Sequence, residues 1–215
     1  MLVRDCMTKH PLMIEPTMPV LEAQGYMGEH DVRHLPVTAD GKRLLGLVTR
    51  QTLLIQPARL SSLNVWEITR YLSNLRAGDV MVKNVITIHP DATVEEAARL
   101  MTRKRIGCLP VLDEGIVVGI ITELDLMAQM LQLLGAQFVG LRVTVEIPDR
   151  LGEFAKLTRA IAERGWGFIG VATYPAPRAQ DRWQVVFKVR NVERGALLAA
   201  LEQIEDQRVL DVREL

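Results

Sequence analysis

Apolar and polar positions along the first 135 residues follow one plan twice. Each copy opens with a short apolar run (Leu12–Ile14; Val85–Ile88) that reads as a strand, followed by a proline and a helix. In the second copy Thr93-Val94-Glu95-Glu96 places a hydroxyl three residues before a carboxylate, the pattern of a capping box. Val94, Ala97, Ala98 and Met101 then recur at helical spacing. A strand holding Leu-Pro-Val comes next, then a turn (Ala39-Asp40-Gly41; Asp113-Glu114-Gly115) that predicts a hairpin. The last strand (Leu44–Val48; Ile116–Ile121) is very apolar, and an unbroken run such as IVVGII predicts a sheet buried on both faces.

The copying is quantitative. Met7 and Met81, Pro16 and Pro90, Val20 and Val94, and Leu35-Pro36-Val37 and Leu109-Pro110-Val111 stand 74 positions apart. After one deleted residue, Gly46 and Gly119, and Thr49 and Thr122, stand 73 apart. Both copies end in a strand-to-helix turn, GLVTRQT at 46–52 and GIITELD at 119–125. They part at the last position, where Thr52 faces Asp125. Between the copies, Asn64-Val65-Trp66-Glu67 predicts a capped helix start, with Val65, Ile68, Leu72 and Leu75 on one apolar face.

After residue 136 the pattern changes. It predicts a strand over 138–147, a helix over 149–165 ending at a glycine, strands in WGFIGVATY and RWQVVFKV joined by PAPRAQD, a helix in RGALLAALEQI and a strand in QRVLDVREL. This βαββαβ order is a ferredoxin-like plan.

Two tandem units of this plan, the second carrying DVM, I.P..TV.EA, LPV and G.I…D in one order, resemble a CBS-domain pair (Bateman module). Asp149-Arg150-Leu151-Gly152-Glu153-Phe154 after a strand resembles the opening of an ACT domain, and the succession of the two resembles the acetoin-utilisation protein B family. The expected architecture is thus α/β and α+β: CBS motif 1 over 1–60, a linker helix over 61–76, CBS motif 2 over 77–135 and an ACT-like domain over 137–215.

The end of a strand feeding a helix presents unpaired N–H groups and positive dipole potential, a seat for phosphate. Thr122 can donate to that phosphate or cap the helix, and Asp125 can accept from both hydroxyls of a ribose. The same Thr-x-x-Asp tetrapeptide is also a plain cap. The resemblance to CBS pairs implies that Thr122 and Asp125 hold phosphate and ribose, and that adenine lies against backbone around Thr87 and Ile88. Thr49 is the equivalent threonine of the first copy, and Arg33 and His34 are candidate phosphate contacts. Because a Thr52 hydroxyl cannot take two ribose protons, one good nucleotide site is expected and one altered or empty. In the ACT-like domain, Asp149, Leu151 and Gly152 are candidates for amino-acid binding, since amides at a helix start can meet a carboxylate. Leu151 stands where that family favours proline, and Gly167 where it often has asparagine.

Composition sets the outer limits. The chain has 26 basic and 26 acidic side chains, evenly divided along its length, which argues against a nucleic-acid or anionic-membrane partner. Its two cysteines and four histidines lack metal-ligand spacing. No apolar run approaches ~18 residues and the N-terminus has no secretory pattern, so a cytoplasmic protein is expected. No nucleophile–base pair or Walker-type loop is present, so no enzyme and no cofactor is expected. The leading expectation is a homodimeric regulatory sensor with an adenine nucleotide (AMP, ADP, ATP or a related adenosyl ligand) in the CBS cleft and the ACT domain as a dimerisation or second-ligand module. The alternative is a non-sensing homodimeric scaffold with empty clefts.

Overall fold

In both repeats the hairpin closes where small and polar residues permit a reversal. Asp40 accepts from the backbone N–H groups of Lys42 and Arg43 at 3.1 and 2.8 Å, and Gly41 takes φ +69°. Glu114 and Gly115 both adopt positive φ, the geometry of a tight hairpin turn. A computed structural model describes residues 1–53 and 73–215. The linker helix expected over 61–76 therefore lies, up to residue 72, outside the described residues. Leu75, the last residue of its apolar face, packs on the core of the first repeat. The chain divides into two compact units, Met1–Leu126 and Met127–Leu215.

The first unit contains the two repeats. Strand β1 is Thr8–Lys9, and β2 (His34–Thr38) pairs antiparallel with β3 (Leu44–Thr49) behind a helix over Val20–Glu29. β4 (Cys108–Asp113) pairs likewise with β5 (Ile116–Thr122) behind a helix over Val94–Lys104. Each hairpin carries a register shift at the same place, Val37/Thr38 and Val111/Leu112. The expected capping box is present: Thr93 Oγ1 accepts from Glu96 N–H at 3.1 Å, and Glu96 Oε2 accepts from Thr93 N–H at 2.8 Å. Val94, Ala97 and Met101 are buried, as their spacing predicts.

The strands expected at Leu12–Ile14 and Val85–Ile88 are each reduced to a single parallel bridge, Ile14 to Val37 and Ile88 to Val111. Ile14 N–H donates to Pro36 and its carbonyl accepts from Thr38; Ile88 does the same with Pro110 and Leu112. One residue thus supplies both bonds.

The opening segments of the repeats exchange partners. Val3, at the start of the chain, lies in the core of the second repeat with Ala97, Met101, Leu109, Val111 and Ile121, and β1 pairs with β5. Reciprocally, Ala77 lies in the core of the first repeat, and Val82 exchanges two backbone hydrogen bonds with Leu47 at 2.9 and 3.0 Å. Glycine makes this possible: a Cβ on Gly46 would meet Met81 and the Val82 carbonyl, and one on Gly119 would meet Met7 and the Thr8 carbonyl. Leu47, Cys108, Ile120 and Val85 form a small apolar cluster between the hairpins, and Val117 N–H donates to Lys42 across them at 2.9 Å.

The second unit runs β6 (Leu141–Pro148), helix Glu153–Ala162, β7 (Gly167–Pro175), β8 (Arg182–Arg190), helix Arg194–Glu202 and β9 (Arg208–Glu214). The antiparallel sheet has the order β7-β8-β6-β9, and alternate residues Leu141, Val143, Val145, Ile147, Val185, Phe187 and Val189 meet Leu157, Ile161, Leu197 and Leu201 of the helices. Strand β6 begins three residues later than the pattern predicts, because Gly135 closes a turn with Phe138 and leaves Phe138 and Val139 exposed. The helix expected from 149 starts at Glu153, after Gly152 at φ +88°.

The division between the two compact units falls inside the helix Glu123–Leu133. The reason lies in its last turn, where the Leu133 and Leu134 backbone passes over Gly170, at which a side chain would have no room. Buried Lys188 donates to the Gly135 carbonyl at 3.4 Å.

The glycine seats make a direct prediction. Gly46→Ala and Gly119→Ala are each expected to destabilise the first unit by about 1–3 kcal/mol through overpacking. Gly25→Ala, on an exposed helix position open to solvent, is expected to stabilise it by about 0.5–1 kcal/mol. Urea unfolding of the three variants checks both signs.

Candidate functional site

The second strand-to-helix turn is a reciprocal cap. Thr122 ends β5 and precedes the helix Glu123–Leu133. Its N–H and its hydroxyl both donate to Asp125 Oδ2, each at 2.7 Å, and its Oγ1 accepts a longer bond from Asp125 N–H at 3.4 Å. Both strong bonds fall on one carboxylate oxygen. Among the described residues Asp125 Oδ1 accepts none, and the residue is half-buried. The turn is braced by Glu123 N–H, which donates to the Gly107 carbonyl at 3.1 Å.

The first turn copies this geometry with a different chemical remainder. Thr52 Oγ1 accepts from Thr49 N–H at 2.9 Å, and Thr52 N–H donates to Thr49 Oγ1 at 3.2 Å. The single Thr52 proton is donated to the Thr49 carbonyl at 3.0 Å. Arg50 N–H donates to the Arg33 carbonyl at 3.1 Å, the counterpart of Glu123 and Gly107. A hydroxyl closes the cap as a carboxylate does, but no second oxygen is left over.

The repeats bring His34 to the edge of the second turn. A Cβ on Gly107 would lie 3.9 Å from His34 Nε2 and 3.5 Å from Glu123 Oε2, so the imidazole and the carboxylate flank a position with no side chain. Burial, and then the neighbouring Arg33 guanidinium, hold His34 below the ordinary imidazole range, while Glu123 acts the other way. Burial pushes the Cys108 thiol up to about 12, with Glu123 adding to the rise. Cys6, carried in at the end of a short helix (Val3–Cys6) of the exchanged opening segment, has its thiol raised by burial and then by the charge of Asp125. Arg33 is exposed.

Thr87 and Ile88 differ in what they can offer. The Ile88 N–H and carbonyl are both committed to β4, whereas the Thr87 backbone makes no bond among the described residues. Glu123 and Cys6 escaped the sequence reading. The first could have been found from charge reversal, since Glu123 stands where the other copy has Arg50; the second depends on the exchange, which no local pattern announces. A cleft of about 180 Å³ lined by Gln24, Met27, Gly28, Arg50 and Leu53 belongs to the first repeat and contains none of the expected nucleotide contacts.

In the second unit Asp149 N–H donates to the Asp181 carbonyl at 2.8 Å, Leu151 is fully exposed, and the Gly152 turn has open space around it. The neighbouring Glu153, not singled out from sequence, is buried at the helix start. It accepts from Lys156 at 2.9 Å and Arg150 at 3.2 Å, and its backbone carbonyl accepts from Gln207 at 2.7 Å. The Lys156 bond foremost, with a Gln207 bond to Oε2 and the charges of Lys156 and Arg150, holds its carboxyl below the usual range despite the opposing effect of desolvation. Among the described residues no group of His, Cys, Asp or Glu converges as a metal site, and no helix is long and apolar enough to cross a membrane.

Known proteins share this arrangement. A Vibrio cholerae protein assigned provisionally to acetoin utilization (AcuB) is 33% identical, with a TM-score of 0.54 over 64% of this chain and 95% of that one. CBSX2 in complex with AMP is 28% identical (TM-score 0.52; 61% and 96% covered). A CBS domain pair in complex with 5′-methylthioadenosine and S-adenosyl-L-methionine is 27% identical (TM-score 0.50; 60% and 99% covered). The L-aspartate semialdehyde sulfurtransferase of Methanocaldococcus jannaschii is 29% identical over 128 residues, which make up 58% of this chain and 22% of that protein. The chain spans less than a quarter of the length of the first curated relatives it matches. The family model for the CBS domain matches residues 3–57 and 77–132. Those two segments contain both strand-to-helix turns and make up just over half of the sequence, and the chain belongs to the CBS-domain family.

Proposed function

We propose that this protein is a regulatory sensor that binds an adenine nucleotide or related adenosyl ligand beside the Thr122–Asp125 turn. One observation carries the reading: Asp125 closes its cap with Oδ2 alone and keeps Oδ1 available, while Thr52 commits its only proton and one of its two lone pairs to the equivalent cap and has no second oxygen for a diol. A carboxylate oxygen at a helix start, in a strand-end turn, is suited to a ribose diol. The Thr87 backbone, free among the described residues, is suited to the edge of an adenine, and His34 approaches from the other repeat. Adenosyl compounds bound by similar CBS pairs support the ligand class.

The βαββαβ unit serves in this reading as an ACT domain whose role is dimerisation. The buried Glu153 carboxylate beside the Gly152 turn is already bonded to Arg150, Lys156 and Gln207 and adds a negative charge next to the seat an amino-acid carboxylate would need, which favours a contact role over a second ligand. Leu124, Met127, Met130, Leu131 and Leu133 are more than half exposed along one helix, an apolar surface that supports self-association. The protein carries no catalytic role in this scheme. As a CBS–ACT protein it parallels the acetoin-utilisation protein B family.

Matched variants test the site. Asp125→Ala and Thr52→Ala each remove a helix cap and are expected to cost a similar ~1 kcal/mol of stability. Only Asp125→Ala is expected to weaken adenosyl-ligand binding, by about tenfold or more, as loss of charge-assisted bonds of ~1.5–3 kcal/mol requires. Equal losses of affinity in calorimetric titrations would refute the one-good-site reading. In thermal melts, ligand at ~100 times its Kd is expected to add about 2.7 kcal/mol to the wild-type protein. No shift with AMP, ADP, ATP or S-adenosylmethionine would leave the empty-cleft scaffold.

A further inference from the structure

The helices that stand behind the two hairpins match in backbone and oppose in charge. The segment from Val20 to Asp31 carries Glu22, Glu29 and Asp31, a formal charge of −3. Its counterpart from Val94 to Arg105 sets Arg99, Arg103, Lys104 and Arg105 against Glu95 and Glu96, a formal charge of +2. At the 74-residue spacing Arg103 replaces Glu29 and Arg105 replaces Asp31, each a reversal of sign. Asp31 and Arg105 even share a left-handed backbone, at φ +49° and +55°. All of these side chains are exposed. Among the described residues Glu96 alone of them has a partner, in the Thr93 capping box.

A helix C-terminus favours cations, so the basic end of the second helix is at rest with its own dipole. The first helix is not: Glu29 and Asp31 stand at its C-terminal end, and its last turn holds no basic residue. Bulk follows the same division as charge. Gly25 and Gly28 leave the first helix bare, with open space beyond both, where the second carries Arg99 and Thr102.

A two-fold dimer can join these helices in two ways. Where each meets its own copy, −3 faces −3 and +2 faces +2; where each meets the other, −3 faces +2 at two equivalent contacts. We infer that two copies of this chain associate antiparallel through their first units, with the acidic, glycine-bared helix Val20–Glu29 of one copy against the basic helix Val94–Lys104 of the other. The inference rests on the reading that the chain self-associates, and gives that association a surface and a direction. Exposed ion pairs each contribute little, so these charges select the orientation more than they supply affinity.

Sedimentation of the full chain, with residues exchanged between the repeats, tests it. Arg103→Glu with Arg105→Asp makes both helices acidic, and Glu29→Arg with Asp31→Arg makes both basic. Every position receives the residue that its counterpart already holds, so each variant is expected to fold, which circular-dichroism melts check. Each double variant is expected to raise the dimer dissociation constant at least about tenfold, ~1.4 kcal/mol. The variant combining all four substitutions is expected to return to within about threefold of the wild type, and added salt to weaken the wild-type dimer. In a parallel dimer the first double variant only turns +2 against +2 into −2 against −2, and affinity stays. Unchanged affinity in the double variants, failure of the combined variant to recover, or a wild-type dimer that tightens with salt overturns the antiparallel surface while leaving self-association intact. A wild-type chain that stays monomeric removes self-association and this inference together.

Discussion

The first unit depends on a close approach that only glycine permits. Each hairpin leaves a gap at its last strand, at Gly46 and at Gly119, and the gap is filled by a methionine from the opening segment of the other repeat. The methionine side chain is long and adaptable, and the backbone beside it adds antiparallel hydrogen bonds to the strand. Because the filling is reciprocal, neither repeat has a complete core alone. The apolar cluster of Leu47, Cys108, Ile120 and Val85 and the Lys42–Val117 hydrogen bond then hold the hairpins together, which sets His34 beside the second turn.

On that frame the two turns separate folding from chemistry. Capping requires one acceptor at the fourth position, and a hydroxyl or a carboxylate supplies it equally well. Recognition of both hydroxyls of a diol requires a second acceptor oxygen beyond the cap, which only the carboxylate has. The exchanged segment adds to the asymmetry by bringing Cys6 under the influence of Asp125, whereas Glu123 and Arg50 give the turns opposite charge. The pair therefore has one pseudo-symmetric backbone and two unlike surfaces.

Much of this was legible in the residues, and what was not has a physical reason. The 74-residue spacing and the Thr93–Glu96 box are periodic or local signals, and each corresponds to observed elements. The exchange between Met7 and Gly119 is a long-range pairing, and no periodicity encodes it; the sequence places Met7 in one repeat while the fold buries it against the other. The short apolar runs at 12–14 and 85–88 read as strands, yet one residue in each suffices for the ladder. At the site, the Thr-x-x-Asp spacing pointed to Asp125 as a cap, which is observed, but could not say which of its oxygens the cap would use. Glu153 was visible as part of a motif, and its burial among Arg150, Lys156 and Gln207 was not, because those partners come together only in the folded unit.

The reciprocal filling bears on how such a duplicated chain can change. A copy whose turn carries a hydroxyl in place of the carboxylate still supplies the wedge that finishes its twin, so it cannot be discarded whatever its own turn can hold. Descent can therefore rewrite one turn freely, provided the hydroxyl that seals the helix stays, while the scaffold holds both halves in place.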